Sequence, residues 1–135
     1  LEGNGELVNV TDIEKRLLSS DYGEGGILSL ASNYATFIEA IIKGSLVSPA
    51  SRAVMTTWIQ HDPNIIYGLG LMKKNTPYGY GIGHDGSGAG CTSDMFYFPD
   101  SDATIVIGTN KGTGTPADFN DVEDLWNEVV RAALE

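Results

Sequence analysis

One cysteine, few cations and no long apolar run mark the 135-residue chain, and each shortage removes a class of function. With Cys91 alone, no internal disulfide can form, and a single thiol fits either redox compartment. Eight Lys and Arg stand against eighteen Asp and Glu, for a net charge of −10. That balance leaves no cation cluster for a phosphate backbone or an anionic membrane, so nucleic acid is excluded as a partner. The acidity reads as a solubility feature. No stretch approaches the roughly 18 apolar residues of a spanning helix, so no membrane segment is expected. Histidine is scarce too. His61 and His84 stand apart, with no second ligand at helix or knuckle spacing, so neither a metal nor another cofactor is expected. The chain opens Leu1-Glu2-Gly3 with no start methionine and no secretory leader, which reads as a piece of a longer protein.

Glycine is what the chain has in plenty, and it is densest in Gly79–Gly90 (GYGIGHDGSGAG), around His84. Such density makes a poor strand or helix on propensity alone. To its N-terminal side, residues 1–64 read as loop and helices. Thr11-Asp12-Ile13-Glu14 fits a capping box, with helical turns to about Leu18, and Ser19–Gly26 is loop by composition. A helix capped by Ser29 or Ser32 carries Ala31, Tyr34, Phe37, Ile38, Ile41 and Ile42 at helical spacing and stops at Gly44. Another starts at Ser48-Pro49, with Val54, Met55 and Trp58 on one face. Residues 65–135 predict four antiparallel strands, at 65–73, 78–85, 92–98 and 103–109, and a last helix from near Asn120 to Ala133. Asp121, Glu123 and Asp124 then crowd that helix's first turn. The fold class is α+β, one domain over residues 1–135: a sheet of about four strands, a packed C-terminal helix and two or three further helices.

Several chemistries can be weighed on these residues. Gly81-x-Gly83-x-x-Gly86 matches a dinucleotide fingerprint, but Gly88-Ala89-Gly90 and a strand-like segment follow where the pyrophosphate needs a helix N-terminus. Ser-x-x-Lys, which sets an amine one helical turn from a hydroxyl, is absent: Asp12, Ala40, Gly70, Leu71 and Gly108 precede the five lysines by three places. Cys91 is either a small core residue or, across the glycine turn from His84, half of a Cys–His pair. His84 is either a hydrogen-bonded histidine at a strand end or the rim of a groove in which bare glycine backbone meets an extended ligand.

Four ordered segments resemble the C-terminal part of the serine β-lactamase-like family, which includes class C β-lactamases, D-alanyl-D-alanine carboxypeptidases and related esterases and peptidases. They are Gly25-Gly26-Ile27-Leu28-Ser29 with the helix through Phe37, Leu46-Val47-Ser48-Pro49 through Met55, Tyr67-Gly68-Leu69-Gly70-Leu71, and Gly83-His84-Asp85-Gly86 with Gly90. The last is similar to the family's Gly-His-x-Gly box, which stands in place of Lys-Thr-Gly. The resemblance implies acyl-enzyme hydrolysis of a peptide-like, β-lactam or ester substrate, in a parent enzyme that is periplasmic or secreted by a bacterium. It makes His84 the catalytic residue of this segment and Asp85, Gly86, Ser87 and Gly88 its substrate-binding wall, with an oxyanion donor near Gly86 to Gly88. Asp85 sits where a hydroxyl residue is common, which disfavours a substrate carboxylate. The family's Ser-x-x-Lys and Tyr-x-Asn lie upstream of the matched region, and neither occurs here: the tyrosines lead into YGE, YAT, YGL, YGY, YGI and YFP. The expectation is a C-terminal portion, inactive alone, whose missing N-terminal half leaves an open sheet edge and a homodimer through it. A non-catalytic peptide-binding or structural module of the same fold is the alternative.

Overall fold

A computed structural model describes residues 8–20, 27–61, 63, 65–113 and 116–135. Its elements run α1 (Thr11–Ser20), α2 (Ala31–Ile42), α3 (Pro49–Met55), β1 (Ile59–Gln60), β2 (Ile65–Tyr67), β3 (Met72–Thr76), β4 (Gly79–Ser87), β5 (Thr92–Phe98), β6 (Ala103–Thr109) and α4 (Pro116–Leu134). The strands form one antiparallel sheet in chain order, β1 to β6. This is the α+β architecture expected, with more strands. The run expected at 65–73 is two strands, because Gly70 takes φ +69° and folds Gly68–Leu71 into a turn closed by Gly68 N–H on Leu71 O at 2.8 Å.

Alternation along β5 separates two cores. Phe96 and Phe98 join Met72, Ile105 and the α4 residues Trp126 and Val130 on one side. Met95, the residue before Phe96, joins Ile82, Leu71 and the α2 residues Ile38 and Ile41 on the other. Trp126 stacks on Phe98 at 6.3 Å and meets Phe96 at 5.3 Å, so α4 is anchored on the aromatic stripe of the central hairpin. A polar clasp fixes α2 to the β5–β6 hairpin: Lys43 pairs with Asp102 at 2.7 Å, and Thr104 donates to Glu39 at 2.6 Å.

Helix ends depart from expectation in instructive ways. Ser48 caps α3 through Ser51 N–H at 3.1 Å, as its sequence predicts, and Gly44 ends the α2 turn at φ +90°. The N-cap of α2, however, is Leu30, and no side chain bonds it. Thr11 is already helical and takes its cap from Asn9 Oδ1 at 3.0 Å, while Glu14 reaches across to the β4–β5 loop instead of back to the cap. That helix runs on to Ser20, past the expected end at Leu18. Gly25 and Gly26, and most of the expected loop 19–26, lie outside the described residues. The last helix starts at Pro116, so Asp121, Glu123 and Asp124 fall beyond its first turn; Glu123 serves instead as the partner of Lys74 at 3.0 Å. Leu125, expected inward, is exposed.

Candidate functional site

The sheet positions the glycine-rich segment by an uneven pairing. β3 meets β4 from Thr76↔Gly79 to Met72↔Gly83 and stops there. His84, Asp85, Gly86 and Ser87 continue β4 against β5 alone, opposite Met95, Asp94, Ser93 and Thr92. Past Gly83, therefore, no strand among the described residues pairs with β4 on the β3 side. Asp85, Gly86 and Ser87 are exposed there, and His84 is half-buried.

The glycines answer to different neighbours. A Cβ on Gly83 would lie 1.8 Å from Met95 O, and one on Gly88 would lie 2.1 Å from Glu14 Oε1. Gly83 is glycine because backbone of this chain fills the space, whereas at Gly88 the neighbour is the movable end of the Glu14 side chain. Gly86 differs: its Cβ would meet only Ser93 Oγ, at 3.2 Å, and its surroundings are otherwise open. Gly88 N–H is spent on Cys91 O at 2.8 Å and Ala89 N–H on Glu14 Oε2 at 2.9 Å. An oxyanion donor expected near Gly86 to Gly88 is thus not the Gly88 N–H.

His84 turns its ring toward Tyr67 at the end of β2. Its Nε2 is hydrogen-bonded to Tyr67 Oη, and its Nδ1 to the Asp85 carbonyl at 2.5 Å, with the two rings edge-on, 5.5 Å apart at 84°. Burial and then the charge of Asp85 hold the Tyr67 phenol above its usual pKa, so it stays protonated at neutral pH. His84 and Asp85 also line a depression of about 260 Å³ under Tyr34 of α2, with Ser93, Asp94, Met95 and Val106. A depression of about 300 Å³ at the far end of the molecule is lined by Tyr78 and Arg131, and Arg131 is committed to Glu128 and Glu135.

Opposite Asp85 across the hairpin, Asp94 is only 7 % exposed, and its carboxyl is pushed up to about 6. Desolvation is the main cause; Lys74 opposes it, and Asp85 and Glu123 add to it. Cys91 does not pair with His84. Its thiol donates to Glu14 Oε1 at 3.6 Å, and desolvation, followed by the Glu14 charge and hydrogen bond, pushes its pKa up. That removes the thiolate on which a Cys–His nucleophile depends. Among the described residues no three His, Cys, Asp or Glu side chains gather as a metal set, and no helix is long and apolar enough to cross a membrane.

A family description, Beta-lactamase, matches residues 3–127. The chain belongs to the beta-lactamase family. Solved structures agree on its fold. A D-stereospecific amidohydrolase from Streptomyces sp. is 28% identical, with a TM-score of 0.58 over 70% of this chain and 29% of its own. The D-amino acid amidase of Ochrobactrum anthropi SV3, complexed with D-phenylalanine, is 20% identical, with a TM-score of 0.65 over 77% of this chain and 36% of its own. A penicillin-binding protein from Bacillus halodurans is 18% identical, with a TM-score of 0.53 over 70% and 30%. This beta-lactamase-family chain thus has a serine hydrolase-related fold and spans about a third of the length of these relatives.

Residues given no functional role in the sequence reading lie at or beside the candidate site: Tyr67, Glu14, Asp94 and Tyr34. Tyr67 lay in a quoted motif, but only the β2–β3 turn brings it to His84. Glu14 is 75 residues from its partner Ala89, a distance that no local pattern bridges.

Proposed function

We propose that this chain is the C-terminal part of a beta-lactamase-related serine hydrolase, in which β4 forms one wall of an acyl-transfer site. The observation that carries the reading is the unpaired β4 edge at His84–Ser87, beside the open Gly86. An extended substrate lying there meets strand backbone as another strand would, and Gly86 lets it come close. The nucleophilic serine and its lysine belong to the missing N-terminal half. His84 orients the substrate or handles its proton, and Asp85, Gly86, Ser87 and Gly88 line the bound chain. The exposed Asp85 repels a substrate carboxylate at this wall. Two of the relatives are named as acting on D-amino acid or D-configured amides, which favours an amide substrate over a β-lactam or an ester. A non-catalytic peptide-binding module is the second reading. The open β4 edge supports it as well, since a bound chain there needs no reactive serine.

The test is complementation. Alone, the chain is expected to take up no penicillin-type acylating label on serine and to leave a chromogenic cephalosporin and D-amino acid amides intact. Joined to an upstream segment bearing Ser-x-x-Lys, it should support turnover, and His84→Ala should then cut that turnover roughly 10²- to 10⁴-fold if the imidazole moves a proton. A serine adduct on the isolated chain refutes the division of labour. Full turnover per folded molecule in His84→Ala returns His84 to scaffolding.

A further inference from the structure

The two hydrogen bonds of His84 fix more than its position. Its Nδ1 faces the Asp85 carbonyl, which can only accept, so Nδ1 carries the proton. In the neutral ring Nε2 is then the acceptor, and the group facing it is the Tyr67 hydroxyl, which donates. A free imidazole has no such constraint. Neither partner is accidental in the fold: the Asp85 carbonyl belongs to the end of β4 that pairs with β5 alone, and Tyr67 is half-buried at the end of β2, packed beside the aromatic core.

We infer that Tyr67 is the positioning residue of His84, holding the imidazole as its Nδ1–H tautomer with Nε2 as its basic atom, capped by the Tyr67 hydroxyl. Uptake of one proton at Nε2 reverses the bond. The imidazolium N–H then donates to the phenol oxygen, and the phenol O–H, which keeps its own proton, turns outward. Nothing else is made or broken. Tyr67 and His84 thus bind and release one proton as a unit, with the ring held in place in both states. The role lies at the site proposed above, but its readout requires no substrate, so it fails or survives independently of the hydrolase reading.

Long-range ¹H–¹⁵N correlation on the uniformly labelled chain, above the imidazole titration, tests it. His84 should show a pyrrole-type Nδ1 and a pyridine-type Nε2, while free N-acetylhistidine amide serves as the reference for a ring without this pair of partners, because His61 itself packs edge-on to Tyr67. Tyr67→Phe keeps the ring and its packing but removes the donor; His84 should then move to a tautomer mixture resembling that of the free reference imidazole. An Nε2–H tautomer in the unaltered chain overturns the inference. So does an Nδ1–H pattern that survives Tyr67→Phe, since the Asp85 carbonyl would then suffice alone. If Tyr67→Phe does not fold, Asp85→Asn with Tyr67 intact supplies the second arm: it removes the neighbouring charge but keeps the carbonyl, and a changed tautomer there would overturn the assignment.

Discussion

Asp94→Asn should make this protein more stable, and the gain should depend on pH. The carboxyl is 7 % exposed in the middle of a hairpin, opposite Asp85. Burial raises it from 3.8 to about 6, so a proton binds more tightly in the folded chain than in the unfolded one. The sign follows from linkage. Below the unfolded value both states are protonated and the group is neutral in effect; as pH rises through the folded value, ionisation in the interior costs stability. A shift of that size corresponds to about 3 kcal/mol above pH 7, at about 1.4 kcal/mol per pKa unit. Asparagine has nearly the same shape and carries no charge to desolvate. The variant should match the parent near pH 4 and exceed it by up to about 3 kcal/mol near pH 8, which is roughly 10 °C in melting temperature for a chain of this size. Urea unfolding of both proteins from pH 4 to pH 8 measures the difference, in which general repulsion among the other acids cancels. A variant equally stable at pH 8, or less stable at every pH, refutes the reasoning. In the latter case the Lys74 attraction outweighs the desolvation cost.

Other outcomes follow from the same contacts. Glu14→Ala removes a charge-assisted bond to Ala89 N–H and should cost roughly 1–2 kcal/mol, and it should speed reaction of Cys91 with a disulfide reagent at pH 8, because the nearby negative charge that raises the thiol is gone. Gly83→Ala should unfold or severely destabilise the chain, whereas Gly86→Ala should melt within about 1 kcal/mol of the parent, a contrast that thermal unfolding reads directly. The β6 edge, with half-buried Val106 and Ile107, should draw two copies together as concentration rises, and a clean monomer by sedimentation at high micromolar concentration counts against that pairing.

Much of the fold was legible because period and punctuation agree in it. Ile38 and Ile41 recur at helical spacing and are buried as a pair, and Ser48-Pro49 start a helix as their chemistry requires. Strands β5 and β6 fall where alternating apolar residues and the Pro99–Asp102 turn put them. What failed was long-range or conformational. Nothing local announces that Gly70 turns the chain back and divides one apolar run into β2 and β3. Nor does a capping-box pattern reveal that Glu14 has a better use, since a carboxylate in a first turn serves equally well to cap its own helix or to bind a distant N–H.

The site was legible only as a location. Glycine density drew attention to residues 79–90, yet the pattern alone gives every glycine the same meaning. The neighbours separate them: Gly83 admits the backbone of Met95, Gly88 admits the Glu14 carboxylate, and Gly86 faces open space at an unpaired strand edge. Gly83 is determined by backbone within this chain, so its being glycine says nothing about a ligand, whereas at Gly88 the neighbour is the end of a flexible side chain that can shift. At Gly86 the fold itself exerts almost no demand for glycine. Open space alone is not diagnostic, since an added Cβ on Gly108 meets nothing within 4 Å; what sets Gly86 apart is its place on the β4 edge beside His84. Gly86, and not the glycine count, is therefore the position at which the binding wall proposed beside His84 is best tested.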